Sequence, residues 1–283
     1  MRSPERELPL RHAIALGLLQ GPTELLPISS SAHTALLARF AGWPYARMDS
    51  QRRKSFEVAL HAGAGVALAV HMRHQLLHDV SELNAGRAAA VALSLAPPAL
   101  AGYALERPIE QRLGGSRSLA FGLLAGALAM AWADRRTGTS PRARPSGDGP
   151  AQGERTVEEV NARDGLALGL AQASALIPGV SRNGATLAAA RARGFSRAAA
   201  QSLSWHAGLP VLFGAGGLKA THIRRAGLAP GEGVALVAGG LSALLSTLAG
   251  ARALAGVLRD GRPLLPYAIY RCVLALVVLT RSQ

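Results

Sequence analysis

Between Arg11 and Arg39 the chain is almost wholly apolar, yet it carries Gln20, Glu24, Ser29, Ser30, Ser31 and His33. Glu24 is the only Asp, Glu, Lys or Arg in that interval. A carboxylate, an amide, hydroxyls and an imidazole are costly to bury in a segment suited to lipid, so they mark a functional place. Pro22 and Pro27 interrupt the run, which excludes one straight transmembrane helix. A broken helix at membrane depth is tolerated only where protein or a wet cavity satisfies its freed backbone. The stretch therefore reads as part of a pocket.

The pattern returns 152 residues later. Leu16, Gly17, Leu18, Gln20, Ser29, Thr34, Ala38 and Arg39 fall on Leu168, Gly169, Leu170, Gln172, Ser181, Thr186, Ala190 and Arg191. Two proline-broken apolar segments in corresponding halves point to an internally duplicated membrane protein with its site between the repeats. Residues 10–133 then form the first repeat, 134–163 a polar linker and 164–283 the second repeat, all in one integral membrane domain. The linker is rich in Pro, Gly, Ser and Arg and is expected to be mobile and exposed.

The formal charge of +14 raises the question of nucleic acid, but aromatics are only 4% and the basic residues fall between apolar runs. Flanking arginines that anchor helices at headgroups account for that balance, and no nucleic-acid partner is expected. A mean hydropathy of only +0.20 reflects abundant Gly, Ala and Arg, with the apolar residues clustered. One cysteine, Cys272, excludes an internal disulfide and reads as filler in the last helix. The N-terminus has acidic residues and no clean apolar core, so no signal peptide is expected.

Membrane helices are expected over 55–72, 88–105, 118–133, 198–218, 233–251 and 264–280, with a loop over 41–54. Glu57 and His61 share one helix face; a dipole-favoured acid at a helix start is the plain alternative for Glu57. His71, His74, His78 and Asp79 read as a solvated headgroup-level connection rather than a metal cluster. Arg271, inside the last helix, either snorkels or pairs with a buried acid.

Gln20 and Glu24, four residues apart, offer hard oxygen donors of the kind Mg²⁺ or Ca²⁺ takes. The serines after Pro27 suit an N-cap, but three followed by His33 exceed that need. Ser30 and His33 suit a nucleophile with a proton-handling partner. In the second motif Gly179 and Gly184 flank Ser181, Arg182 and Asn183, placing a guanidinium fork at a helix N-terminus where phosphate oxygens are favoured. Together these groups suit phosphoryl transfer. A transporter or flippase for a lipid-linked or organic phosphate is the rival reading, because it needs the same anion-binding residues. Either reading expects the two motif turns to face one pocket.

QGPTELLPISSSAH and PGVSRNGAT, with KSFEVALHAG and LPYAIYR as lesser matches, resemble the bacterial undecaprenyl-diphosphate phosphatase family, the BacA-type enzymes linked to bacitracin resistance. The resemblance implies an all-α polytopic fold: about six membrane-spanning helices and two re-entrant helix pairs in an inverted-topology repeat. It implies hydrolysis of undecaprenyl diphosphate to undecaprenyl phosphate and inorganic phosphate, recycling the carrier for cell-wall synthesis. The implied site has Gln20 and Glu24 at a divalent cation, Mg²⁺ or Ca²⁺, with Ser30 as nucleophile and His33 as its acid/base partner. Arg182 completes the catalytic set, and Gln20, Ser29, Ser181, Asn183 and Thr186 bind substrate. The implied location is the bacterial plasma membrane, with the site towards the extracytoplasmic side. The implied partners are the polyprenyl diphosphate and membrane lipids, and a homodimer is compatible with it. The sequence departs from the family pattern at Asn183, where a serine is usual, and at His61, where a glutamine is usual.

Overall fold

The computed structural model describes residues 8–136, 153–226, 231–254 and 263–281. Among them the chain is helical, with one isolated bridge between Arg155 and Phe195 in place of any strand. The helices in chain order are α1 (Leu10–Leu25), α2 (Ser30–Phe40), α3 (Ser50–His71), α4 (Arg73–Ser81), α5 (Ala85–Leu113) and α6 (Ser116–Arg136). They continue as α7 (Ala162–Ser174), α8 (Arg182–Ala192), α9 (Arg197–Ala226), α10 (Glu232–Ala253) and α11 (Leu265–Thr280). By length and composition three segments can cross a membrane: Ala85–Leu105, Ser116–Arg135 and Glu232–Ala253. A fourth is available if α3 and α4, which bend by 71° at their junction, act as one broken span.

The 152-residue shift carries α2 onto α8 residue for residue, because both are preceded by the turn that each proline creates. Their predecessors α1 and α7 begin at matching positions, and α7 ends three residues earlier in the shifted register. Each is built for close approach through a small-xxx-small pair, Gly17 and Gly21 in α1, Gly165 and Gly169 in α7. α1 packs on α10, where a Cβ on Gly17 would come within 2.4 Å of the Gly239 carbonyl oxygen. α7 packs on α5, where a Cβ on Gly165 would come within 2.1 Å of the Ala90 carbonyl oxygen. Lipid gives little hydrophobic drive to join helices, so backbone contact of this kind is what holds them.

The chain divides into two compact units. The first comprises Met1–Leu25, Ser30–Leu76 and Leu209–Leu254. Its core gathers Leu16, Tyr45, Phe56, Leu60 and Ala243. The second comprises Leu26–Ser29, Leu77–Gly208 and Ala255–Gln283. Its core gathers Met130, Leu168, Leu187, Phe195 and Leu203.

Several boundaries differ from expectation for local reasons. The loop expected over 41–54 is shorter, since Asp49 caps α3 by accepting from the backbone of Gln51 and Arg52. Arg52, Arg53 and Lys54 are therefore helical, and Glu57 stands in the second turn rather than at the helix start. The polar connection after Met72 is helix α4, with no buried residue. Pro97 and Pro98 lie inside α5 without ending it. Proline 98 cannot donate to the Ser94 carbonyl, and the Gln172 side-chain amide does so at 3.0 Å.

Most of the linker, residues 137–152, lies outside the described residues. Its two ends are ordered rather than mobile. Asp134 is buried and pairs with Arg197 at 2.9 Å and Arg191 at 3.4 Å. Arg155 pairs with Asp164 at 2.6 Å, and Asn161 with Asp164 forms the capping box that starts α7.

Candidate active site

Each motif builds its own cluster. In the first unit α1 continues through Pro22, so Gln20 and Glu24 do share a face, and Gln20 Nε2 donates to Glu24 Oε2 at 3.2 Å. α1 stops at Leu25, two residues before Pro27, which favours an extended residue before it. The turn then reverses through Ser29, whose φ of +74° is a left-handed conformation costing a non-glycine residue about 1 to 3 kcal/mol. Ser30 opens α2, and its Oγ donates to Glu24 Oε2 at 2.7 Å. His33, one turn on, lies on the same face of α2 as Ser30. Gln20, Glu24 and Ser30 are all buried.

α3 adds a residue to this cluster. His61 Nε2 lies 3.6 Å from the same Glu24 Oε2. His61 Nδ1 lies 2.7 Å from the Glu57 carbonyl oxygen, which can only accept, so the ring proton belongs on Nδ1. Nε2 then faces a carboxylate. Glu57 turns its own side chain to the Tyr45 hydroxyl at 2.9 Å, away from this cluster. Gln20 Oε1 is buried and, among the described residues, meets no hydrogen-bond donor. Gln20 and Glu24 thus stand on one face of α1, an amide and a carboxylate of the hard-oxygen kind that a divalent cation takes. Gln20 Oε1 and the Glu24 carboxylate are the oxygen donors available to the divalent cation expected from the sequence.

In the second unit Ser181 caps α8, its Oγ accepting from the Gly184 backbone at 3.1 Å. The cap uses a lone pair and leaves the hydroxyl proton to donate. Arg182 is the first residue of α8, and its guanidinium lies over the Trp205 ring, 5.7 Å from the centroid. α9 leaves room for it at Gly208, where a Cβ would fall 1.5 Å from Arg182 Nη1.

Asn183 and Thr186 point into the unit instead. Asn183 Oδ1 accepts from Ser204 Oγ at 2.8 Å, and Thr186 Oγ1 lies 2.5 Å from that same Ser204 Oγ. Thr186 also donates back to the Arg182 carbonyl at 2.9 Å. Ser204, on α9, was not singled out by any sequence pattern; Ser202 and Ser204 in a largely apolar helix carry no spacing signal.

Arg271 does not snorkel, and among the described residues it meets no acid. It is fully buried in α11 and donates to four backbone carbonyls: Leu123 at 3.2 Å, Gly122 at 3.2 Å, Gly179 at 2.9 Å and Pro27 at 3.4 Å. Gly126 and Gly184 make the space, since a Cβ on either would fall within 2.9 Å of the guanidinium. Pro27 belongs to the first motif's turn and Gly179 to the second's, so one side chain ties both turns within the second unit. Residues matched by the 152-residue shift differ in their partners. Gln20 faces Glu24 whereas Gln172 patches α5; Arg39 is exposed whereas Arg191 is buried against Glu154 at 2.8 Å.

The chain was compared with known proteins. The family model described as bacitracin resistance protein BacA matches residues 13–277. A protein named undecaprenyl-diphosphatase from Geobacter sulfurreducens is 36% identical over 93% of this chain and 94% of its own. One of the same name from Chromohalobacter salexigens is 35% identical over 95% of this chain and 97% of its own. A third, from Thermomicrobium roseum, is 33% identical over 94% and 96%.

Proposed function

The chain belongs to the bacitracin resistance protein BacA family, and from that we infer that it is a membrane phosphatase converting undecaprenyl diphosphate to undecaprenyl phosphate and inorganic phosphate. The observation that carries this reading is the 2.7 Å hydrogen bond from Ser30 Oγ to Glu24, a hydroxyl already aligned with a base. In the proposed reaction Ser30 Oγ bonds to the terminal phosphorus as its proton passes to Glu24. The bridging P–O bond breaks towards the lipid phosphate. Water, deprotonated by His33, then attacks the phosphoserine phosphorus; the Ser30 Oγ–P bond breaks, Oγ takes back the proton from Glu24, and inorganic phosphate leaves.

Arg182, stacked on Trp205 at a helix N-terminus, neutralises charge on the phosphoryl oxygens. The Ser29 and Ser181 hydroxyls donate to the same oxygens. Asn183 and Thr186, bound to Ser204, keep α8 in place beneath Arg182. Gln20 and Glu24 would hold a divalent cation, which when bound supplies electrostatic stabilisation of the diphosphate.

The matching bounds of α2 and α8 and the exchanged pairings α1–α10 and α7–α5 support a duplicated fold. In our reading α1–α2 and α7–α8 are the two re-entrant pairs of an inverted repeat with six spans, its site open to the extracytoplasmic side of the plasma membrane. The test is phosphate release from undecaprenyl diphosphate by purified protein in detergent. Wild type should release phosphate, while Glu24→Gln, Ser30→Ala and Arg182→Ala should each lose about 10²-fold or more. Wild-type protein that binds the lipid and releases none would leave only the transport reading standing.

A further inference from the structure

We propose that Asp79 and His206 are positioning residues for Arg182: through them α4 fixes α9 from behind, so that the guanidinium stands where it meets phosphate. The proposal rests on the role given above to Arg182 and adds what holds that residue in place. His206 Nε2, on α9, lies 2.8 Å from Asp79 Oδ2, on α4. Both atoms are shielded from solvent, and among the described residues neither has a hydrogen-bond partner, so this ion-pair contact is what matches them. A solvated connection over this stretch would leave Asp79 in water. Instead, Leu76 and Asp79 are the two residues of α4 that are less than fully exposed, and their spacing of three puts them on one helix face.

α9 carries the parts that place Arg182, and the ion pair meets α9 on its other side. Ser204 and Gly208, four residues apart, share the face turned to α8. Ser204 Oγ donates to Asn183 Oδ1 at 2.8 Å, and Gly208 leaves room for the guanidinium. His206 lies two residues from each, about 200° around the helix, and so on the opposite face. Trp205, whose ring the Arg182 guanidinium covers, is its neighbour in the chain. α9 is thus held from α8 on one face and from α4 on the other. Taking an imidazole and a carboxylate out of water offsets most of what their attraction returns, so such a pair adds little net stability and serves to fix register. The element whose register it fixes is the one that seats Arg182.

The experiment is a double-mutant cycle on full-length protein in detergent, with undecaprenyl diphosphate as substrate. Asp79→Ala alters a helix that buries no residue, so the protein should fold and melt as wild type. Its kcat should nonetheless fall about tenfold or more, because a displacement of about 1 Å at a reacting group can cost about 10²-fold. His206→Gln should break the pair from the α9 side with the same loss, whereas His78→Asn, at an exposed neighbour in α4, should keep wild-type kcat. In Arg182→Ala, adding Asp79→Ala should cost less than about twofold, since the group it positions is gone. Losses that multiply, or Asp79→Ala with wild-type kcat, overturn the proposal and leave the pair a plain tie between helices. The same cycle run on affinity for a methylene-bridged polyprenyl diphosphate needs no turnover. Wild type that binds this analogue but does not hydrolyse the substrate refutes the phosphatase alone. Coupled losses of affinity in that cycle then support the positioning role, and independent losses refute it.

Discussion

At the scale of single residues the second motif depends on an absence. Gly208 is there because the Arg182 guanidinium occupies the place of its Cβ. Gly208→Ala should displace a flexible side-chain end rather than backbone, so the protein should fold and insert as wild type. Phosphate release should still fall towards the level of Arg182→Ala, by about 10²-fold. Full activity in Gly208→Ala would show that Arg182 works from another position. Sequence reading reached Arg182 through the PGVSRNGAT pattern but had no route to Gly208, Trp205 or Ser204. Their signal is distance across a helix pair, and one apolar helix looks like another.

At the scale of elements, α7 is held by backbone contact on one face and by charge at its start. Gly165→Ala would drive a methyl into the Ala90 carbonyl oxygen, and neither backbone can yield cheaply. Overpacking of this kind costs about 1 to 3 kcal/mol, so the melting temperature in detergent should drop. At the α7 N-terminus burial raises the Asp164 pKa, but hydrogen bonds from Arg155 and Arg193 outweigh it and hold it below the usual carboxylate range. A depressed folded pKa contributes stability above the unfolded value of about 3.9, lost as pH falls through the folded one. Asp164→Asn should therefore lower the melting temperature at neutral pH, and its gap from wild type should narrow below about pH 4. A gap constant with pH would mean that Asp164 contributes only its cap.

At the scale of the whole molecule Arg271 joins segments far apart in the chain, from Pro27 to Gly179. Removing its donors strands the buried turn carbonyls of Pro27 and Gly179, each costing about 1 to 3 kcal/mol, whereas Gly122 and Leu123 keep their partners within α6. Arg271→Gln should lower both the melting temperature and kcat, because both motif turns lose a shared anchor. Arg271→Lys keeps charge but cannot span four acceptors with a planar fork, and it should recover stability more than kcat. If Arg271→Lys restored both equally, the side chain would be filling space rather than setting the turns.

The chain's own letters determined the apolar helices, the break at Pro27 and the identity of both motifs. Each of those is a local property: hydropathy, spacing, or a residue that cannot donate a hydrogen bond. The break expected at Pro22 did not form, because α1 runs through it. Local rules also explain the errors, since the Asp49 cap that lengthens α3 competes with a basic, loop-like composition. Tertiary structure alone decided how buried polar groups are matched. Ser30 on Glu24, Gln172 on the carbonyl freed by Pro98, His61 on the Glu24 cluster and Arg271 on two turns are pairings between helices. A buried donor must find some acceptor, and which one it finds is set by helices brought together from across the chain.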